Sequence, residues 1–191
     1  MAGDLGTGGG EVHDEATQVL DYWFALSSDE QFGKDAERDG EIASRFGSLR
    51  DRLLSTRAEG WRDDPDTLLA AIVALDQFSR NIHRGTARAY EADPLALELT
   101  REAIEKGWEE RYPPERRVFL YMPLMHAEDA EMQRLSVDRF TALGEEENLK
   151  FAREHADVIS CYGRFPSRNA ALGRESTLAE AEYLSRPDAG W

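Results

Sequence analysis

Apolar residues recur at intervals of three and four along almost the whole chain. One stripe consists of Val19, Leu20, Trp23 and Phe24, and a second stripe lies within residues 42–53. This interval matches the 3.6-residue turn of an α-helix, whereas a half-buried strand would alternate apolar and polar residues. The chain has no alternating run of convincing length. The sequence therefore predicts an all-α fold.

Capping residues and prolines mark where the helices begin and end. Asp14 and Asp64 are predicted N-caps, since aspartate accepts hydrogen bonds from the free N–H groups of a first turn. Thr177 and Glu180 have the spacing of a capping box. Pro123 is expected to stop or kink its helix. Together these signals divide the chain into about eight helices.

The same signals define the domain organisation. Residues 1–13 are rich in glycine and are predicted to be a disordered leader, and residues 14–185 are predicted to form a single all-α domain. The polar stretch 27–35 is predicted to be a loop, and residues 186–191 a loose tail.

Charge and cysteine content exclude several classes of function. The formal net charge of −15 argues against nucleic acid and against an anionic membrane surface as partners. No apolar run approaches the ~20 residues of a membrane-spanning helix. Cys161 is the only cysteine, so an internal disulfide and a cysteine-based zinc site are impossible. We expect Cys161 to be buried, the protein to be cytoplasmic, and no cofactor or metal to be required.

A first basic segment lies where an apolar helix ends. Asp76, Arg80 and Arg84 are spaced by four, which places them on one helix face, and Gln77 and Asn81 lie on the adjacent stripe. One interpretation is an ion pair between Asp76 and an arginine on the solvent-exposed surface. The other is that Asp76 orients Arg80, so that its guanidinium can bind a carboxylate or phosphate.

A second basic segment follows Gly163. Arg164, Arg168 and Arg174 occur there with Asn169, in a stretch interrupted by glycine and proline. Irregular backbone with free N–H groups beside arginines can bind an anion. The alternative is a surface loop whose arginines pair with nearby acidic residues.

A third polar cluster contains His126, Glu128 and Asp129. The favourable effect of acidic residues in the first turn of a helix is sufficient to explain Glu128 and Asp129. His126 could be a general base, a metal ligand or a hydrogen-bonded core residue, but the spacing matches no zinc motif. His155 lies on an apolar stripe and is predicted to be a core histidine.

These three segments together resemble the bacterial domain-of-unknown-function family nine-two-four. The resemblance runs from about Val19 to Leu184. It is carried by Asp76-Gln-Phe-Ser-Arg-Asn81 with Arg84-Gly-Thr86, Phe119-Leu-Tyr-Met-Pro123 with His126-Ala-Glu-Asp129, and Gly163-Arg-Phe-Pro-Ser-Arg-Asn169 with Leu172-Gly-Arg-Glu-Ser176.

The resemblance implies a right-handed superhelical bundle similar to tetratricopeptide-repeat proteins, and it brings no activity with it. Two positions depart from the family pattern. Ser79 stands where the family usually has proline, and Ala127 stands where it usually has serine.

Our first hypothesis is a binding module in which the three segments meet in one concave pocket for a small anionic molecule or a peptide terminus. The arginines hold the anionic group, the amide side chains orient it, and the acidic residues brace the arginines or receive a cationic part of the ligand. The arginines are Arg80, Arg84, Arg164 and Arg168, the amides are Gln77, Asn81 and Asn169, and the acids are Asp76, Glu128 and Asp129.

Two alternatives remain open. In a hydrolase, His126 acts as the general base, Glu128 orients it, and the arginines stabilise developing negative charge. In a purely structural role, the same polar residues form an internal network that joins helices and fixes their packing.

Overall fold

The chain folds into ten α-helical segments within residues 8–187 and 189–190, the part that this computed structural model describes, and no strand occurs there. The segments are α1 (Gly8–Ala25), α2 (Ser28–Phe32), α3 (Ala36–Ser55), α4 (Pro65–Val73), α5 (Ser79–Ile82), α6 (Asp93–Glu105), α7 (Pro114–Met125), α8 (Ala130–Leu143), α9 (Glu146–Tyr162) and α10 (Leu178–Leu184). The predicted all-α class is confirmed, while the tetratricopeptide-like superhelix stays a prediction.

The first helix is longer than predicted. It begins at Gly8 and not at Asp14, so residues 8–13 of the predicted leader are helical, and residues 1–7 lie outside the described part. The apolar stripe explains the difference, because Val12 packs against the core one turn before Ala16. The glycine-rich composition of the segment concealed this contact.

The predicted loop 27–35 contains the short helix α2. Ser27 caps it, and the Glu30 side chain accepts a hydrogen bond from the backbone N–H of Ser27 at 2.8 Å, which completes a capping box. Phe32, at the end of α2, is half exposed and stacks on Phe119 with 5.9 Å between the ring centroids. The capping box stabilises a helix too short to show an apolar stripe.

A continuous and largely buried helical rod, formed by residues 65–82, runs through the molecule. Asp64 caps α4 as predicted, accepting from the N–H groups of Asp66 and Thr67. A single π-helical segment, Ala74–Phe78, then joins α4 to α5, and every residue of this segment is buried. Such a turn inserts an extra residue into the helix and is frequent at functional sites. Polar residues on it must find hydrogen-bond partners inside the protein.

The rod ends at Ile82, and this changes where the Arg84 side chain lies. Arg84 lies beyond the last helical turn. The four-residue spacing predicted that it shares a helix face with Asp76 and Arg80, and this prediction is therefore wrong. Its guanidinium turns to Asp39 on α3, with N–O distances of 2.8 and 2.9 Å.

The remaining helices place the other two polar segments. Pro123 does not stop α7, which continues to Met125. His126, the residue directly after this helix, lies close to the rod, with its Nδ1 2.7 Å from Asp76. Gly144, in the left-handed conformation, ends α8 and lets α9 pack against it. A 3₁₀ turn, Pro166–Arg168, follows α9 and carries the second basic segment.

The C-terminal region matches its predicted cap. Thr177 and Glu180 form the predicted capping box at α10. The backbone N–H of Gly190 donates to the Tyr183 hydroxyl, and residues 188 and 191 of the predicted loose tail lie outside the described part. Cys161 is exposed, contrary to the prediction that it is buried. None of the described helices has the length and apolarity needed to cross a bilayer.

A buried arginine ties α3 to the end of the rod. Arg50 has no exposed surface, and its Nε donates to the Ser79 hydroxyl at 2.8 Å. Its Nη1 donates to Asp51 and Glu91, and its Nη2 donates to the carbonyl of Arg88. The hydroxyl of Ser79 thus acts as an acceptor for a buried cation.

We predict that Arg50→Ala lowers the free energy of unfolding by about 3 kcal/mol, because it removes one partner from a buried, hydrogen-bonded charge. Lys150→Ala, which removes an exposed pair with Glu154 at 3.8 Å, is the matched control and should change stability by less than about 1 kcal/mol. Urea denaturation measures both. Equal effects of the two substitutions would contradict the assignment.

Candidate functional site

Five residues from distant parts of the sequence close into a ring of hydrogen bonds and one ion pair. The five-residue ring consists of Asp76, Arg80, Asp93, Arg168 and His126. Arg80 donates to both oxygens of Asp93 at 2.8 and 3.0 Å, and its Nη1 lies 3.1 Å from Oδ1 of Asp76. Arg168 donates to Asp93 at 3.2 Å and to the carbonyl of His126 at 2.9 Å. His126 Nδ1 closes the ring, 2.7 Å from Asp76.

Each member of the ring stands at a helix end or at the π-helical segment. Asp76 belongs to the π-helical segment, and Arg80 follows on α5. Asp93 is the first residue of α6, and His126 terminates α7. Arg168 is in the 3₁₀ turn after α9. The ring therefore joins four separate parts of the fold.

Asp76 is the most deeply buried charge of the ring. Only 1% of its surface is exposed, and burial by itself raises the pKa of a carboxyl group. Arg80 and His126, with a 2.6 Å hydrogen bond from Gln77, outweigh the burial and hold the pKa of Asp76 well below its usual range. The Asp76 carboxylate is therefore ionised at neutral pH.

The tautomer of His126 follows from this charge. An ionised carboxylate can only accept hydrogen bonds, so Nδ1 carries the proton toward Asp76 and Nε2 keeps a lone pair. Burial, with Arg80 nearby, lowers the pKa of His126. The imidazole is therefore uncharged at neutral pH, and the five-residue ring has no net charge. No residue in the described part of the chain hydrogen-bonds to Nε2, and the side chain is 15% exposed.

The guanidinium of Arg168 lies close to two aromatic rings. Its central carbon lies 4.7 Å from the Tyr90 ring centroid and 4.5 Å from that of Phe165. A guanidinium has five N–H donors, of which Arg168 uses two within the described residues. Burial is the main cause that lowers the pKa of Arg168, and the neighbouring Arg80 adds to it. The site thus contains a cation whose side chain is 11% exposed and whose remaining N–H donors have no hydrogen-bond partner among the described residues.

Glu128 belongs to a different contact set from His126. Its carboxylate accepts two hydrogen bonds from Arg174, at 2.7 and 2.9 Å, and one from the backbone N–H of Phe165 at 2.8 Å. The expectation that Glu128 orients His126 is therefore wrong, since Asp76 does so. Glu128 instead anchors the loop after α9.

The other predicted site residues also brace the fold. Asn81 donates to Asp39, the same carboxylate that binds Arg84. Arg164 makes two hydrogen bonds to Glu180, at 2.6 and 2.8 Å.

Two further predicted residues have local roles. Asn169 donates to Ser176 and accepts from Arg174. Asp129 caps α8 by accepting from the N–H groups of Glu131 and Met132, a role that the helix-start interpretation of this residue anticipated.

The structure thus brings together Asp76, Gln77, Arg80, His126 and Arg168 from the predicted set. Sequence reasoning missed Asp93 and Tyr90. Asp93 precedes Pro94, a pattern that indicates only a helix start, and Tyr90 has no signal of its own in the sequence.

Two shallow depressions occur elsewhere on the surface, one lined by residues of α9 and the other mainly by residues of α6. Neither contains a residue of the five-residue ring. Within the described ranges, no three His, Cys, Asp or Glu side chains are grouped so that they could hold a metal ion.

Comparison with known proteins agrees with this fold. A family model described as a bacterial protein of unknown function, DUF924, matches residues 19–188. The solved structure of the protein of unknown function ATU0120 from Agrobacterium tumefaciens is 37% identical, with a TM-score of 0.87, over 91% of this chain and 98% of that chain. A search of curated proteins found no match.

A second buried histidine lies beside the ring. His155 is on α9 as predicted, its Nδ1 is 2.8 Å from the carbonyl of Phe151, and its ring centroid is 6.1 Å from that of His126. Burial, with His126 nearby, lowers the pKa of His155 to about 3. The folded protein therefore keeps His155 neutral.

We predict that the protein loses stability as the pH falls from 7 to 5. In this window the unfolded chain protonates His155, whose ordinary pKa is 6.5, while the folded protein does not. The stability contribution is therefore complete above pH 6.5 and decreases below it, by up to about 1.4 kcal/mol per pH unit.

Urea denaturation at several pH values measures this slope. His155→Gln, which can still donate to the Phe151 carbonyl, should flatten it. A variant that keeps the wild-type slope would show that His155 does not titrate as described.

Proposed function

Since the chain belongs to the DUF924 family of bacterial proteins of unknown function, we propose that it is a binding protein for a small ligand with an anionic group. The binding site is the exposed edge of the five-residue ring. The carboxylate or phosphate of the ligand pairs with the unused N–H groups of Arg168. The first hypothesis assigned the anionic group to four arginines. This proposal assigns it to Arg168, with Arg80 next to it in the ring.

The observation that carries the proposal is the environment of the Arg168 guanidinium. Tyr90 and Phe165 pack close to it, and Asp93 and the His126 carbonyl accept hydrogen bonds from two of its donors. An arginine fixed in this way loses little conformational freedom when it binds a ligand. Most other arginines of the polar segments already have a carboxylate partner for both halves of the fork.

Charge balance supports an anionic ligand group and limits its affinity. The ring contains two guanidinium groups and two carboxylates, so it has no net charge, and burial still lowers the pKa of Arg168. Arg168 shares its carboxylate partner, Asp93, with Arg80, so a bound anion would give this cation a second partner. The net charge of the chain, −15, opposes any anion at long range, so we expect weak binding, on the order of millimolar.

We predict that acetate and inorganic phosphate bind at Arg168. In NMR titrations of ¹⁵N-labelled protein, the Nε–H signal of Arg168 should shift with either anion. Arg168→Gln should weaken binding by at least about tenfold, the factor expected from one charge-assisted hydrogen bond. Arg84→Gln is the matched control, because Arg84 is bound to Asp39 on the outside of the fold.

Circular dichroism confirms that both variants are folded before they are titrated. The proposal is contradicted if wild-type protein shows no shift, or if the two variants bind the anions equally well.

A second candidate function, hydrolysis, is favoured by the contact between Asp76 and His126. A buried carboxylate 2.7 Å from Nδ1 leaves Nε2 unprotonated, as a general base requires. In this function, Nε2 takes a proton from water while the water oxygen attacks an acyl carbon, and the proton then passes to the leaving alkoxide. Asp76 replaces Glu128 as the orienting residue.

For this candidate, the rate of p-nitrophenyl acetate hydrolysis should fall by about 100-fold or more in His126→Gln, the effect expected for loss of a general base. His155→Gln is the control, since it removes a neighbouring buried histidine that lies outside the ring. Similar rates for both variants and for wild type would exclude the hydrolase.

A further inference from the structure

We propose that the ligand is an α-amino carboxylate, whose carboxylate pairs with Arg168 and whose ammonium group donates to Nε2 of His126. This inference rests on the proposed binding function and names its ligand class. It follows from three features of the site: the neighbouring positions of the two residues, the lone pair on His126, and the charge balance of the ring.

The first feature is that the two residues proposed to bind the ligand are in direct contact. Arg168 Nη2 is 2.9 Å from the carbonyl oxygen of His126, so the guanidinium contacts the residue that carries the imidazole. Both side chains are partly exposed. In an α-amino acid, the carboxylate and the ammonium group are attached to the same carbon atom. A ligand of that size can bridge two neighbouring residues.

The second feature is the direction of the hydrogen bond that His126 can make. Its Nδ1 proton points to Asp76, so Nε2 can accept a hydrogen bond but cannot donate one. Burial lowers the pKa of His126, which keeps this acceptor available at neutral pH. A second carboxylate or a phosphate oxygen has no proton to offer here, whereas an ammonium group has three.

The third feature is charge. The carboxylates of Asp93 and Asp76 lie next to the two residues that contact the ligand. They favour a positive group in the ligand and disfavour a second negative group. A zwitterion adds no net charge to a neutral ring in a chain of charge −15, whereas a simple anion adds one. This argument also distinguishes an ammonium group from an uncharged hydroxyl.

Three probes with the same carbon skeleton test the inference on the full-length wild-type protein. L-alanine carries an ammonium group beside its carboxylate, L-lactate carries a hydroxyl there, and propionate carries hydrogen only. NMR titrations should give the tightest binding for L-alanine. Propionate should bind at least about tenfold more weakly, because it lacks one charge-assisted hydrogen bond, and L-lactate should lie between them.

The outcomes separate this inference from the proposed function. If none of the three carboxylates binds, both fall. If propionate or L-lactate binds as tightly as L-alanine, through Arg168, the binding function stands and the ligand class is wrong.

The variant His126→Gln gives a second test, because its amide can still donate to Asp76. The ratio of L-alanine affinity to propionate affinity should fall toward one in this variant. A preference that survives unchanged would overturn the role of His126. The wild-type comparison decides the question even if the variant does not fold.

Discussion

The carboxylate of Asp76 is buried inside the central helical rod, where an unpaired charge would cost several kcal/mol. Arg80 and His126 compensate it, and each of these is held in turn by another member of the ring. Asp93 binds both guanidinium groups and so links the start of α6 to the loop after α9. One buried charge therefore determines how four parts of the fold meet. The same contacts set the protonation of His126 and leave the Arg168 side chain partly exposed.

The arginines of the two basic segments divide into two groups. Arg84, Arg164 and Arg174 each make paired hydrogen bonds to one carboxylate, on Asp39, Glu180 and Glu128 respectively. They brace loops and helix ends, which is the role that the structural alternative assigned to the whole set. Arg168 differs because two aromatic rings lie close to its guanidinium and because it donates only one hydrogen bond to a carboxylate, that of Asp93. A locally basic stretch of sequence thus locates a group of arginines. It does not show which of them can bind a ligand.

Sequence reasoning predicted what depends on neighbouring residues. The helical class follows from apolar spacing, and the caps at Asp64 and at Thr177 with Glu180 follow from local hydrogen bonds. Features that depend on distant partners were missed or wrong. Asp93 was not predicted, because its place before Pro94 indicates only a helix start, whereas its carboxylate joins two arginines from other segments. Arg84 was placed on the face of Asp76, because four-residue spacing does not reveal that the helix ends at Ile82.

The hydrogen-bonded state of His126 tests the central claim most directly. The side-chain ¹⁵N chemical shifts of a labelled histidine distinguish a protonated ring nitrogen from an unprotonated one. At neutral pH we expect His126 to be the neutral tautomer with the proton on Nδ1, facing Asp76, and with Nε2 unprotonated. A proton on Nε2, or a doubly protonated ring, would contradict both the closed ring and the acceptor role that the proposed ligand requires.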